Sequence, residues 1–186
     1  MIMRLTALGL LALILSGCAT SPADLEKYGK VSLDVQNLSS LTVTKSGEPR
    51  PGGLPKCVAI VIRNDSVTMR QSGGYIGAYT GNYYQASSSH EVNGGSVAQY
   101  VAPDGSEIVA RGETKFSTAL IERSLRFTLT INQGAKDRVY KFTGIEQAGT
   151  TNGYGYHKIA AMAGTGIDEA LGALNKVVDE LESCLK

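Results

Sequence analysis

The chain has 186 residues, 42% of them hydrophobic and 19% charged, with a formal net charge of +1. A balance this close to neutral argues against a nucleic-acid binder, which would normally show a basic patch or stripe, so no nucleic acid is expected as a partner. It also supplies no polybasic run to hold anionic lipid at long range.

Residues 1–17 have the layout of an export signal: a positive end at Arg4, an apolar stretch from Leu5 to Leu15, then small residues. The apolar stretch, about 11 residues, is well short of the ~20 that a spanning helix needs. Leu15-Ser16-Gly17-Cys18 resembles the lipobox of bacterial lipoproteins. That resemblance implies cleavage before Cys18, a thioether diacylglycerol on its sulfur and acylation of its amine, giving a palmitate-type anchor. Several acyl chains together hold a protein on a bilayer far more firmly than one. In the family's sorting rule an Asp after the acylated cysteine favours the inner membrane. Here Ala19 follows, so the resemblance implies an outer-membrane lipid anchor with the domain facing the periplasm, surface exposure remaining open.

Removing the 17-residue leader leaves 169 residues with 17 basic and 17 acidic side chains, the size of one domain with an adequate core. Residues 18–29 read as a lipidated tether, with Ser21-Pro22 a helix start, and 30–186 as a single domain. Strand signals follow in "KVSLDVQ" (30–36) and "LTVTK" (41–45), each alternating apolar and polar residues. "SGEPRPGGLPK" (46–56) holds three of the five prolines and reads as an exposed loop. "CVAIVIR" (57–63) is a continuous, largely β-branched run that predicts a central strand covered on both faces. After "VTMR", the turn signals "NGG" (93–95) and "PDG" (103–105) separate "SSHEV", "SVAQYVA" and "SEIVARGETKF" into an antiparallel meander. "TALIER" (118–123) fits either a helical turn or the start of a strand; strand is the reading taken. "SLRFTLTINQ" puts Leu125, Phe127, Leu129 and Ile131 on one face and Arg126, Thr128 and Thr130 on the other. Its partner "DRVYKFTGI" turns Tyr140 and Phe142 to the same core. From Ile167 to Leu185 the apolar residues form one helical stripe. Thr165 to Asp168 resembles a capping box, and Asp179, Glu180 and Glu182 read as the solvent face. The expected fold is α+β: an antiparallel or mixed sheet with the C-terminal helix packed on one face.

Once Cys18 is assigned to lipid, Cys57 and Cys184 remain, and two cysteines in an oxidising compartment are a natural pair. The stripe places Cys184 on the buried face of the last turn, where it can meet Cys57 in a covered strand. Closing the intervening 127 residues would stabilise the fold by roughly 4 to 5 kcal/mol. Two separate buried thiols are the alternative.

"SGGYIGAYTGNYY" fits two periods. Gly73, Gly77 and Gly81 match the spacing of tightly packed membrane helices. Tyr75, Gly77, Tyr79, Gly81 and Tyr83 match one face of a strand. The polar flanks Arg70-Gln71, Asn82 and Gln85 rule out a span, so the period of two is preferred, with rings lying over bare glycine backbone. A second cluster, "GTTNGYGYHK" (149–158), has the same composition. Tyr75, Tyr79, Tyr83, Tyr84, Tyr154 and Tyr156 are thus a candidate binding surface, since Tyr offers rigid amphipathic contact area; flexible polar loops are the alternative.

No residues point to catalysis. "SSSHE" (87–91) puts serines beside His90, but adjacency is not triad geometry, and no Gly-x-Ser-x-Gly elbow is present. His90 and His157 have no metal-ligand spacing, so neither metal nor cofactor is expected. "GTGIDEALG" (164–172) reads as a plain helix cap rather than an anion site. In layout the chain looks loosely like small outer-membrane lipoproteins, YajG-like ones and the lipoprotein subunit of the lipopolysaccharide translocon, which implies no particular functional residue. The expectation is a membrane-anchored, non-enzymatic envelope assembly or interaction factor with an envelope protein partner; the alternative is a glycan- or lipid-binding module using its tyrosine-rich loops.

Overall fold

Strict alternation in the two longest strands sets the architecture. In the computed structural model, Leu125, Phe127, Leu129 and Ile131 of β7 (Ile121–Gln133) and Tyr140 and Phe142 of β8 (Asp137–Gly149) all point into one core. Phe127 and Phe142 meet edge to face, with ring centroids 5.2 Å apart. The structure describes residues 22–47, 53–92, 94–118, 121–149 and 155–186; Cys18 and Tyr154 lie outside them.

The fold is α+β. A seven-stranded sheet runs in the order β1 (Lys30–Asp34), β2 (Asn37–Ser46), β8, β7, β6 (Glu107–Thr118), β5 (Ala98–Val101), with the two-residue β9 (His157–Lys158) also on β8. All its pairings are antiparallel. The expected meander runs as β5-β6-β7-β8, but "SSHEV" is not part of it, since it lies in β4 (Tyr83–Val92), which pairs outside this sheet. Of "TALIER", Thr118 ends β6, residues 119–120 lie outside the described residues, and Ile121 begins β7. The β6/β5 turn carries Gly105 at φ +70°, with Asp104 accepting from the Ser106 amide at 3.0 Å. The β1/β2 hairpin turns through Val35, whose φ of 59° is left-handed although its side chain is β-branched and 91% exposed.

Helix α3 (Ile167–Cys184) lays Ile167, Ala170, Leu171, Leu174, Val177, Val178 and Leu181 on the sheet, touching β6 and β2. Its start differs from a capping box. Gly166 is the N-cap, in left-handed backbone, and no side chain caps the helix. The Thr165 hydroxyl donates instead to the carbonyls of Ala160 and Met162. Glycine is required at 166 because a Cβ there would sit 2.5 Å from the Thr118 hydroxyl. Asp168 turns away to Lys27 (3.1 Å) and the Tyr28 hydroxyl.

Three segments depart from the sequence reading. "CVAIVIR" is not a strand: Cys57 to Val61 lie in helix α2 (Gly53–Val61), which begins inside the expected proline-rich loop. Pro55 is tolerated because the first helical turn needs no internal amide donor, and Leu54, Cys57 and Val58 make a buried i, i+3, i+4 seam. Only at Arg63, just beyond the helix, does the chain bridge to β6, where the Glu113 amide donates to the Arg63 carbonyl at 2.7 Å.

The stretch read as a tether is built into the domain from residue 22. The 3-10 turn Glu26–Tyr28 that follows helix α1 (Pro22–Leu25) docks against α3, Leu25 is fully buried, and Asn175 donates to the Tyr28 carbonyl at 3.0 Å. Burying Leu25 contributes about 2 kcal/mol. Glu182 is not on the solvent face either. It accepts from the Arg138 guanidinium and from the Tyr140 hydroxyl, both at 2.6 Å, with Arg138 only 4% exposed. Asp179 and Glu180 do face solvent, paired with Lys45 and Lys176.

Candidate functional site

The "SGGYIGAYTGNYY" segment is neither a membrane helix nor one continuous strand. It is the tip of a hairpin, β3 (Val67–Ile76) and β4 (Tyr83–Val92), which forms its own two-stranded sheet. The chain reverses between Gly77 and Asn82, whose backbone groups bond at 2.9 Å, and Gly81 takes a φ of +65°. Glycine and asparagine supply the turn that a pure period-two reading passes over.

Register then decides which rings meet. Tyr75 pairs with Tyr84 and Ile76 with Tyr83. Adjacent ladder positions point to opposite faces, so Tyr75 and Tyr83 do not share the face expected of them. Tyr75 and Tyr84 stack with centroids 5.4 Å apart, and the Tyr84 hydroxyl reaches Thr80 Oγ1 at 3.2 Å. The glycines do serve as bare floor, across the hairpin rather than along one strand. A Cβ on Gly74 would overlap the Tyr83 ring, and one on Gly77 would lie 2.9 Å from the Tyr84 ring. Tyr79 occupies the turn and is fully exposed; Tyr75, Ile76 and Tyr83 are each more than 60% exposed.

Tyr156 lies elsewhere, against Arg126 and Ser124 of β7 rather than the hairpin tyrosines. Its ring covers the Arg126 guanidinium at 4.1 Å on the sheet face opposite α3. Arg126 in turn donates through Nε (2.7 Å) and Nη2 (2.5 Å) to a single oxygen of Glu146, its cross-strand partner. The Tyr156 hydroxyl donates to Ser124 Oγ at 3.3 Å, and Ser124 donates to Glu113 on β6. Burial, with the Glu113 carboxylate nearby, pushes the Tyr156 phenol up to about 12. This cluster floors a groove of about 510 Å³ that also takes in the Asn64–Asp65 and Gly94–Ser96 loops. At its floor the β7/β8 register slips between Arg126 and Thr128, and Gly144, at φ +58°, leaves bare backbone.

The cysteine pair forms: Cys57 of α2 is bonded to Cys184 of α3, with Cα atoms 5.8 Å apart. Cys57 is buried as the seam requires, but Cys184 is exposed rather than on the buried face. His157 is exposed beside the Gly155 carbonyl. Among the described residues, no group of three His, Cys, Asp or Glu side chains is placed to hold a metal ion. No helix among them is long and apolar enough to cross a membrane.

Sequence reasoning passed over Arg126, Glu146, Ser124 and Glu113, since each reads singly as a polar residue on a solvent face. The available signal was the arginine of "LRF" standing opposite the glutamate of "GIEQ" in a meander. No family model, no curated protein and no solved structure matches the chain.

Proposed function

We propose that this chain is a lipid-anchored, non-enzymatic interaction factor of the bacterial envelope, held to the outer membrane through acylated Cys18 and facing the periplasm. The lipobox-like Leu15-Ser16-Gly17-Cys18 supports the anchor. The observation that carries the interaction role is the β3/β4 hairpin. Lying outside the main sheet, it presents Tyr75, Ile76, Tyr79 and Tyr83 to solvent on both faces and at its tip. Isolated two-stranded hairpins are at best marginally stable in water, and exposed aromatic clusters of this kind mark protein interfaces. The occupant this favours is another envelope protein.

The test is site-specific photo-crosslinking in cells, with a benzophenone amino acid at position 75, 79 or 83 and a control at exposed Ile121. One defined protein adduct from the hairpin positions and none from 121 is expected. Adducts at none of the three, or equally at all four, would remove the interaction role. Separately, Cys18→Ser should move the protein from the membrane to the soluble fraction; retention on the membrane would remove the anchor.

A further inference from the structure

We propose that the groove on the helix-free face of β6, β7 and β8 is a binding site for a neutral oligosaccharide. Its size, about 510 Å³, falls within the ~300–1,000 Å³ of small-molecule sites. The chemistry of its lining narrows the ligand. Arg111 and Arg126 are opposed by Asp65, Glu113 and Glu146, a local balance of −1 that disfavours phosphate and other anions. Among the described residues, Tyr156 is its one large aromatic side chain, since the Phe127 ring is buried in the core, and that is too little to take an acyl chain. What remains is a hydroxyl-rich, uncharged ligand.

The Arg126–Glu146 pair is built to meet one. Because Nε and Nη2 both go to Glu146 Oε2, Arg126 Nη1 and Glu146 Oε1 have no partner among the described residues. The pair therefore keeps one donor nitrogen and one acceptor oxygen for the hydroxyls of a ligand, which can both accept and donate. Tyr156 and Glu146 fix the guanidinium in place before any ligand arrives, which lowers the ordering cost of binding. Gly144 keeps the floor open: a Cβ there would meet nothing closer than Thr128 Oγ1 at 3.8 Å, so this glycine leaves room where a side chain would stand. The site shares no residue with the hairpin, and it stands or falls independently of the interaction role.

Saturation-transfer NMR on the full chain in detergent tests the site, with maltotriose, cellotriose and N,N′,N″-triacetylchitotriose as neutral probes and inorganic phosphate as competitor. Transfer to the ring protons of at least one trisaccharide, undiminished by phosphate, is expected. Arg126→Gln should weaken it about tenfold or more, as loss of a charge-assisted hydrogen bond predicts. Gly144→Asn should do the same by filling the floor, since Asn is among the few residues that accept left-handed backbone. Unchanged circular dichroism and urea midpoint establish that each variant folds. No transfer from any of the three sugars, transfer equal in both folded variants, or displacement by phosphate would each overturn the proposal.

Discussion

Breaking the Cys57–Cys184 bridge at its exposed end, with Cys184→Ser, is the cleanest perturbation of this fold, because it opens no cavity at the α3 end and leaves Cys57 in place. The bridge spans 127 residues. In the chain-entropy relation that loop removes about 16 cal/mol/K from the unfolded ensemble, or about 5 kcal/mol at 25 °C. With a urea slope of ~2 kcal/mol/M, the midpoint should fall by about 2.5 M. Circular dichroism of the oxidised and variant proteins through a urea series measures this directly. Wild-type protein treated with reductant should fall on the variant's curve. A loss below ~1 kcal/mol would mean that the reduced, unfolded chain is already as constrained as the bridged one, and the entropic account of the bridge would fail.

Glu182→Ala leaves the Arg138 guanidinium buried without its carboxylate and should cost about 3–5 kcal/mol in urea unfolding, whereas replacing Arg138 and Glu182 together by Met and Leu should cost far less. Gly112→Ala should destabilise by ~1–3 kcal/mol in the same assay, because a Cβ at 112 would lie 2.5 Å from Ile62 and 2.9 Å from Phe127, where the chain leaving α2 crosses β6. Val35→Gly should stabilise by about 1 kcal/mol, by removing a β-branched side chain from left-handed backbone; a lower midpoint would contradict the strain argument. Ultraviolet titration should show Tyr156 ionising near 12 rather than the usual 10, a step absent from Tyr156→Phe. Because the folded-state pKa is raised, the unfolded chain loses its proton first. The stabilisation tied to Tyr156 is therefore complete below pH ~10 and lost as pH rises towards ~12.

The strands of the main sheet were legible because one buried face enforces period two: Leu125, Phe127, Leu129 and Ile131 can take no other register without turning the core to water. Helix α3 was legible for the matching reason, a stripe eighteen residues long. Helix α2 was not. In a run as short as Cys57 to Ile62, β-branched composition favours a strand, and the competing Leu54-Cys57-Val58 seam gains its advantage only by packing on α3, which local sequence does not reveal. The tyrosine hairpin was half legible: glycine spacing showed extended backbone with room for rings, but not the reversal that assigns Tyr75 and Tyr83 to opposite faces. The groove was illegible from end to end. Arg126, Glu146 and Tyr156 meet only because a bulge at Gly144 sets the β7/β8 register and β9 folds back on β8.

The burial of Leu25 sets the scale on which an anchored form of this protein would operate. Leu25 is the seventh residue after Cys18, and even drawn out fully that stretch reaches only about 25 Å. The docking site is the first half of α3, through Tyr28, Asp168 and Asn175. If Cys18 is acylated, a domain on so short a leash would stay close to the bilayer, and a partner would have to sit at the same membrane or come to it.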